Sequence, residues 1–397
     1  MRLLICAGGT GGGVYPALSV LQALRDAEPS QPVSPDQDLT VLWVGGEKGM
    51  EAGLVQREGI PFQAIPAAGV HGVGLRALPG NLLRLARGFF ASLGILRRFK
   101  PDVLFFTGGY VAAPLMLASR MPAMGFTRPR SLVYVPDIQP GLALKFISRF
   151  ADQIAVTVAE SRRYFHRHSD VVVTGYPLRQ DLLRLRQGRE ARLQARRDLG
   201  LLPDLPVFLV LGGSKGAVSI NRALFAALPE LLPFMQVVHI TGQLDWSQIE
   251  KFQQSLPGAL SPELSARYHP FPYLHEEMGS ALASADLALA RAGASTLGEL
   301  PLFGLPAILV PYPYAWKYQK VNADYLVSRG AALLIQNQDL SDQLIPTVKS
   351  LIADPSRLEA MRAAMKQLAR PQAARQMADL IHQLVNRTRP TGAQQGT

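Results

Sequence analysis

A single cysteine, Cys6, is all the chain contains, so no internal disulfide can staple the fold. That usage fits a reducing compartment. Cys6 lies inside an apolar run, where a small buried strand residue is expected rather than a reactive thiol. Long hydrophobic runs are also missing: no stretch of about 18 apolar residues escapes charge, proline or glycine clusters, so nothing reads as a bilayer span. Met1–Gly9 carries one positive charge and a short apolar stretch running into glycines, which reads as a first strand and not a secretion signal. No Gly-Lys-Ser/Thr occurs, which excludes a P-loop. Acidic residues are outnumbered, 30 against 41 basic, for a net charge of +11. Such a balance draws a protein toward nucleic acid, anionic lipid or phosphorylated substrates. The arginines are spread over the middle and the first half without interleaved aromatics, which argues against nucleic acid.

What is present suits a folded α/β protein. A chain of 397 residues, 48% hydrophobic and 18% charged, suits two domains of roughly 150–200 residues each. Apolar runs alternate with helical stretches, the pattern of parallel sheets. Strands are expected at Leu3–Ala7, Val41–Val44, Val103–Phe106, Ser131–Val135, Gln153–Val156 and Val171–Val173. The second half offers Val207–Leu211, Gln236–Thr241, Leu287–Ala290 and Ala307–Val310. The arginine-dense stretch Leu182–Leu202 reads as a connecting helix. The expected architecture is two doubly wound, Rossmann-like α/β domains facing a cleft. The first spans 1–180 and the second 181–369, with a helix near 370–387 packing back on the first and a disordered tail at 388–397.

Glycine loops follow the first strand of each half. Gly8-Gly9-Thr10-Gly11-Gly12-Gly13 holds five glycines in six positions, letting backbone approach a ligand before a helix from about Ala17. It fails the Gly-x-Gly-x-x-Gly fingerprint, because Val14 stands at the final position. The second loop, Gly212-Gly213-Ser214-Lys215-Gly216-Ala217, offers N–H groups, a hydroxyl and a lysine suited to a diphosphate. Either loop also reads as a tight strand-to-helix turn without a ligand. In Arg291-Ala292-Gly293-Ala294-Ser295-Thr296-Leu297-Gly298-Glu299, Glu299 is placed to accept from a ribose diol. Ser295 and Glu299 read equally as capping chemistry. Pro311–Ala323, rich in aromatics and amides, can grip a sugar or simply lead into a helix. Leu82, Leu85, Ala86, Phe89, Leu93 and Leu96 recur at helical spacing among Arg76, Arg84, Arg87, Arg97, Arg98 and Lys100. That segment suits an anionic lipid surface or a core-packed helix with a solvated face.

Together these motifs resemble the MurG family of peptidoglycan glycosyltransferases. The matching stretches are Gly8–Gly12 with Pro16-Ala17-Leu18, Phe106–Pro114, Pro140–Ala143, Val173–Arg179, Gly212–Ala217, Arg291–Leu300 and Gln319-x-x-Asn322-Ala323. The resemblance implies an inverting glycosyltransferase of the B-type fold, with no metal or other cofactor, that moves N-acetylglucosamine from UDP-N-acetylglucosamine onto lipid I. It implies that Leu274 contacts uracil through its backbone and Glu299 holds the ribose. Arg179, Ser214 and the N–H groups of Ala294, Ser295 and Thr296 would hold the diphosphate, Gln319 the sugar, and Thr10, Gly11 and Gly12 the acceptor side. It also implies a peripheral place at the cytoplasmic membrane face through Leu82, Arg84, Leu85, Arg87 and Phe89, and a place in a cell-wall synthesis complex.

Two positions depart from the family pattern. The histidine that ends the family's glycine loop, its favoured general base, is Gly13 here, and glycine cannot take a proton. The family's asparagine before Pro-Gly is Asp137, a carboxylate that can. Three explanations stand: Asp137 replaces the base, the reaction needs little base help, or the acceptor differs or the chain is weakly active. The competing functions are a diacylglycerol glucosyltransferase using UDP-glucose and a UDP-N-acetylglucosamine 2-epimerase.

Overall fold

The computed structural model describes residues 1–8, 11–26, 39–47, 49, 51–68, 78–121, 126–165, 171–185, 188–213, 216–313 and 316–387. The chain divides into two compact units, Met1–Arg179 with Gln372–Thr397, and Gln180–Pro371. In the first, β1 (Arg2–Cys6), α1 (Gly11–Asp26), β2 (Thr40–Gly46), α2 (Glu51–Arg57) and β3 (Phe62–Ile65) come first. They are followed by α3 (Leu78–Phe99), β4 (Val103–Phe106), α4 (Ala112–Ser119), β5 (Arg130–Val135), α5 (Leu142–Ile147), β6 (Gln153–Val156) and β7 (Val171–Val173). The sheet runs β3-β2-β1-β4-β5-β6-β7, all parallel.

The central strands β1 and β4 are almost wholly apolar because both faces are covered. Leu3 and Ile5 enter a core with α1, while their neighbours Leu4 and Cys6 enter a second core with α3, α4 and α5. The period-two alternation of a strand therefore splits one apolar run between two cores. Burial pushes the Cys6 thiol far above its ordinary range, which fits packing and not reactivity.

The second unit begins with α6 (Gln180–Arg184), α7 (Gly188–Asp198), β8 (Val207–Leu211), α8 (Val218–Leu231), β9 (Gln236–Ile240) and α9 (Trp246–Ala259). There follow α10 (Pro262–Ser265), β10 (Tyr268–Phe271), α11 (Met278–Ser284), β11 (Leu287–Ala290), α12 (Thr296–Phe303) and β12 (Ala307–Leu309). Next are α13 (Trp316–Val327), β13 (Ala332–Leu334), α14 (Leu340–Ile352) and α15 (Pro355–Gln367). The sheet order is β10-β9-β8-β11-β12-β13. The last helix, α16 (Ala373–Asn386), belongs to the first unit, where Met377, Ile381, Leu384 and Val385 join the α1 core.

Several expectations need correction. The connecting stretch is two helices, not one, because Gly188 takes a left-handed φ of +89°, which ends regular helix propagation. Arg192 and Arg196 of α7 then pair with Asp286 at 2.8 and 2.7 Å. Helix α1 starts at Gly11 instead of near Ala17, so Pro16 lies inside it. A proline cannot bond the carbonyl four residues back, and the Tyr176 hydroxyl approaches that oxygen, Gly12 O, at 3.5 Å. Strands β3, β10 and β13 were not anticipated. Each is a sheet edge or short and only partly buried, and β10 tolerates Pro270 because it pairs on one side only. The tail at 388–397 and Arg76 lie outside the described residues.

Candidate active site

In the second unit β8 and β11 are neighbours, and strand order reverses between them. Ligands of open α/β sheets bind beyond the carboxyl ends of strands at such a point. The register pairs Leu211 with Ala290, so the 212–217 loop and the 291–295 turn emerge at one level. Gly213 and Gly216 hold φ of +86° and +79°, conformations that L side chains rarely adopt. A methyl group on Gly216 would also stand 2.5 Å from the Thr241 carbonyl oxygen, so the loop lies directly against the end of β9. Ser214 lies outside the described residues.

The 291–299 segment makes its own turn. The Thr296 N–H and hydroxyl both donate to Gly293 O, at 3.1 and 2.6 Å, which commits that N–H internally. Among the described residues, the N–H groups of Ala294 and Ser295 donate to no backbone carbonyl. Ser295 caps α12 without a side-chain bond, so capping does not explain it. Glu299 is half-buried in the first turn of α12, its N–H on Ser295 O at 2.8 Å. Leu274 is buried in the link between β10 and α11.

Helix α13 supports this turn and the aromatic loop. The Gln319 side-chain oxygen accepts from Tyr312 N–H at 2.8 Å, leaving its amide N–H groups as the donors it can offer a sugar. Asn322, fully buried, donates to Ala292 O at 3.1 Å. Beneath the glycine loop runs a polar chain that sequence reading missed. His239 bonds the Tyr268 hydroxyl at 2.9 Å and Asn221 Oδ1 at 3.0 Å. Asn221 in turn donates to Thr241 O at 3.1 Å and Asp245 at 2.9 Å. Burial pulls His239 down to about 3, so it stays neutral. The available signal was a histidine inside an otherwise apolar strand.

In the first unit the reversing pair is β1 and β4. Gly109, at φ +89°, brings its Cα against the Gly8 carbonyl: a methyl there would lie 3.2 Å from that oxygen. Thr10 lies outside the described residues, while Gly11 and Gly12 open α1. The Thr107 hydroxyl donates to Gly13 O at 2.7 Å, and a methyl on Gly13 would sit 3.3 Å from Thr107 O. Asp137 is half-buried just past β5, two strands from β1, so strand spacing alone separates it from the Gly13 end by about 10 Å. Arg179 closes this unit, its guanidinium 5.7 Å from the Tyr15 ring centre. Glu51, also missed, is 1% exposed and accepts from Gly46 N–H at 2.8 Å.

On α3, Arg84 and Arg87 are exposed and Leu82 is 53% exposed, while Leu85 and Phe89 are half-buried. Leu93 and Leu96 are core residues, because this end of α3 packs on the sheet, as the core-packed alternative expected. Leu83 and Phe90, 54% and 67% exposed, add apolar surface roughly a quarter turn around the helix from the stripe of Leu82, Leu85 and Phe89.

Family models match both units. The N-terminal domain of glycosyltransferase family 28 matches residues 3–156, and the C-terminal domain matches residues 207–383. A UDP-N-acetylglucosamine–N-acetylmuramyl-(pentapeptide) pyrophosphoryl-undecaprenol N-acetylglucosamine transferase of Roseiflexus sp. (strain RS-1) is 39% identical, over 98% of this chain and 96% of that protein. The chain belongs to the MurG family. A transferase of the same name from Desulforudis audaxviator is 38% identical over 98% of this chain and 99% of its own. The crystal structure of Acinetobacter baumannii MurG superposes with a TM-score of 0.72 at 27% identity, covering 96% and 99% of the two chains. A Neisseria meningitidis UDP-GlcNAc 2-epimerase bound to UDP-GlcNAc shares the fold alone, with a TM-score of 0.64 at 14% identity over 96% and 100%. Two doubly wound parallel sheets in a MurG-family chain constitute the B-type glycosyltransferase fold.

Proposed function

We propose that this chain transfers N-acetylglucosamine from UDP-N-acetylglucosamine to undecaprenyl-pyrophosphoryl-N-acetylmuramyl-pentapeptide, lipid I, forming lipid II with inversion. The observation that carries this reading is identity of 34–39% with transferases named for that step, extended over nearly the whole chain. In this reading the acceptor hydroxyl attacks the anomeric carbon, its proton passes to a base, and UDP departs. Asp137 is the carboxylate proposed for that proton. The N–H groups of Ala294 and Ser295, with Arg179 and Ser214, receive the diphosphate at a helix start suited to anions. Thr296 helps by shaping the turn. Glu299 holds the ribose, Leu274 the uracil, the Gln319 amide the sugar, and Thr10, Gly11 and Gly12 the acceptor side.

A lipid acceptor calls for an enzyme at the cytoplasmic membrane face. Among the described residues no helix is long and apolar enough to cross a membrane. The exposed Leu82, Leu83 and Phe90 beside Arg84 and Arg87 supply a basic, apolar surface for anionic lipid. Leu85 and Phe89 back that surface. The test is incubation with UDP-N-acetylglucosamine or UDP-glucose and either lipid I or diacylglycerol, scoring the glycolipid formed. Product from UDP-glucose and diacylglycerol only would overturn the assignment, and N-acetylmannosamine formed without acceptor would indicate an epimerase.

A further inference from the structure

Arg291 is 9% exposed and gathers four segments of the second unit. It directly follows β11. One terminal nitrogen donates to Val310 O at 3.0 Å and Pro311 O at 3.4 Å, beyond β12, and to Asn337 Oδ1 at 2.8 Å, before α14. The other donates to the Ser219 hydroxyl in the first turn of α8 at 2.8 Å. The guanidinium carbon stands 5.3 Å from the Tyr312 ring centre.

All of these partners are neutral. Among the described residues no carboxylate pairs with Arg291, and burial pulls it down to about 10, so it remains charged at neutral pH. Among the described residues the other buried arginine, Arg196, differs: it pairs with Asp286 at 2.7 Å, and the half-buried Arg120 likewise pairs with Asp152 at 3.2 Å. A buried cation without a counter-ion costs stability. Arg291 sits where an anion would supply that partner, since it leads directly into the 292–296 turn and binds the helix that follows the glycine loop.

We propose that Arg291 is a positioning residue whose charge is balanced by the donor's diphosphate, holding the two loops in place while its field favours the anionic nucleotide over the neutral nucleoside. This rests on the reading of the 292–296 turn as the diphosphate seat. When the bond from the anomeric carbon to the diphosphate oxygen breaks, the electron pair stays on that oxygen, and a fixed nearby cation lowers the cost of the added charge.

The discriminating measurement is calorimetric binding of UDP and of uridine to the full chain and two variants. Arg291→Gln should weaken UDP about tenfold or more while uridine changes less than about twofold, because only UDP carries the charge. Asn337→Asp, which sets a carboxylate where the 2.8 Å amide oxygen now stands, should cause the same selective loss. That variant decides the matter should Arg291→Gln not fold. Parallel weakening of both ligands, or no change in either, would overturn the proposal. A wild-type chain that binds no UDP would instead overturn the site reading, and the proposal with it.

Discussion

At Gly13 a restored histidine would begin 3.3 Å from the Thr107 carbonyl oxygen, a contact that a small shift of Thr107 could relieve. The position is therefore tight but not closed to a side chain. With Asp137 as the proposed base, Asp137→Ala should lower kcat about tenfold, or about 1.4 kcal/mol, with the donor KM little changed. Steady-state kinetics would dismiss Asp137 as base if turnover stayed at the wild-type value. His239 makes a second residue-scale prediction. Its folded pKa lies near 3 against an ordinary 6.5, so between those values the unfolded state binds a proton that the folded state refuses. Stability should thus fall as pH drops below about 6.5, by up to about 1.4 kcal/mol per pH unit for this one group. His239→Gln should flatten that dependence in urea unfolding at pH 7 and 5; an unaltered slope would mean that other groups set it.

Helix α16 shows what a single element contributes across a long sequence gap. Its burial pattern places Met377, Ile381, Leu384 and Val385 in the core built by β1 and α1, which come from the opposite end of the chain. Ile381→Ala should cost about 2–5 kcal/mol, the usual range for emptying a packed aliphatic site. A shift of under about 0.5 kcal/mol in denaturant unfolding would mean that α16 is dispensable to that core. Central strands such as β1, β4, β8 and β11 were readable because burial on both faces makes them continuously apolar. Strands β3 and β10 were not, because each mixes polar and apolar residues, and β13 was not, because Ala332–Leu334 is a three-residue run without a β-branched or aromatic side chain. The start of α1 was misplaced for a related reason: glycines and Pro16 argue locally against helix, and the compensating Tyr176 hydroxyl lies 164 positions beyond Gly12.

At the scale of the whole molecule, the net charge of +11 and the exposed apolar residues of α3 predict salt-sensitive adsorption to anionic vesicles. Co-sedimentation should fall steeply between about 0.05 and 0.5 M salt, as expected when screening shortens the Debye length. Phe90→Ser with Leu82→Ser should weaken it further, whereas equal binding to neutral vesicles would remove the electrostatic component. The sequence alone determined the fold class, the glycine loops and the family, since these depend on local pattern and on residues adjacent in the chain. Only the tertiary structure decided how each polar group is used. It turned the Thr296 N–H inward, engaged the Gln319 carbonyl, made His239 a neutral bridge and left Arg291 buried without an acid among the described residues. Those outcomes depend on neighbours brought together from distant segments, and burial, not residue type, sets what a charge or a hydrogen bond is worth.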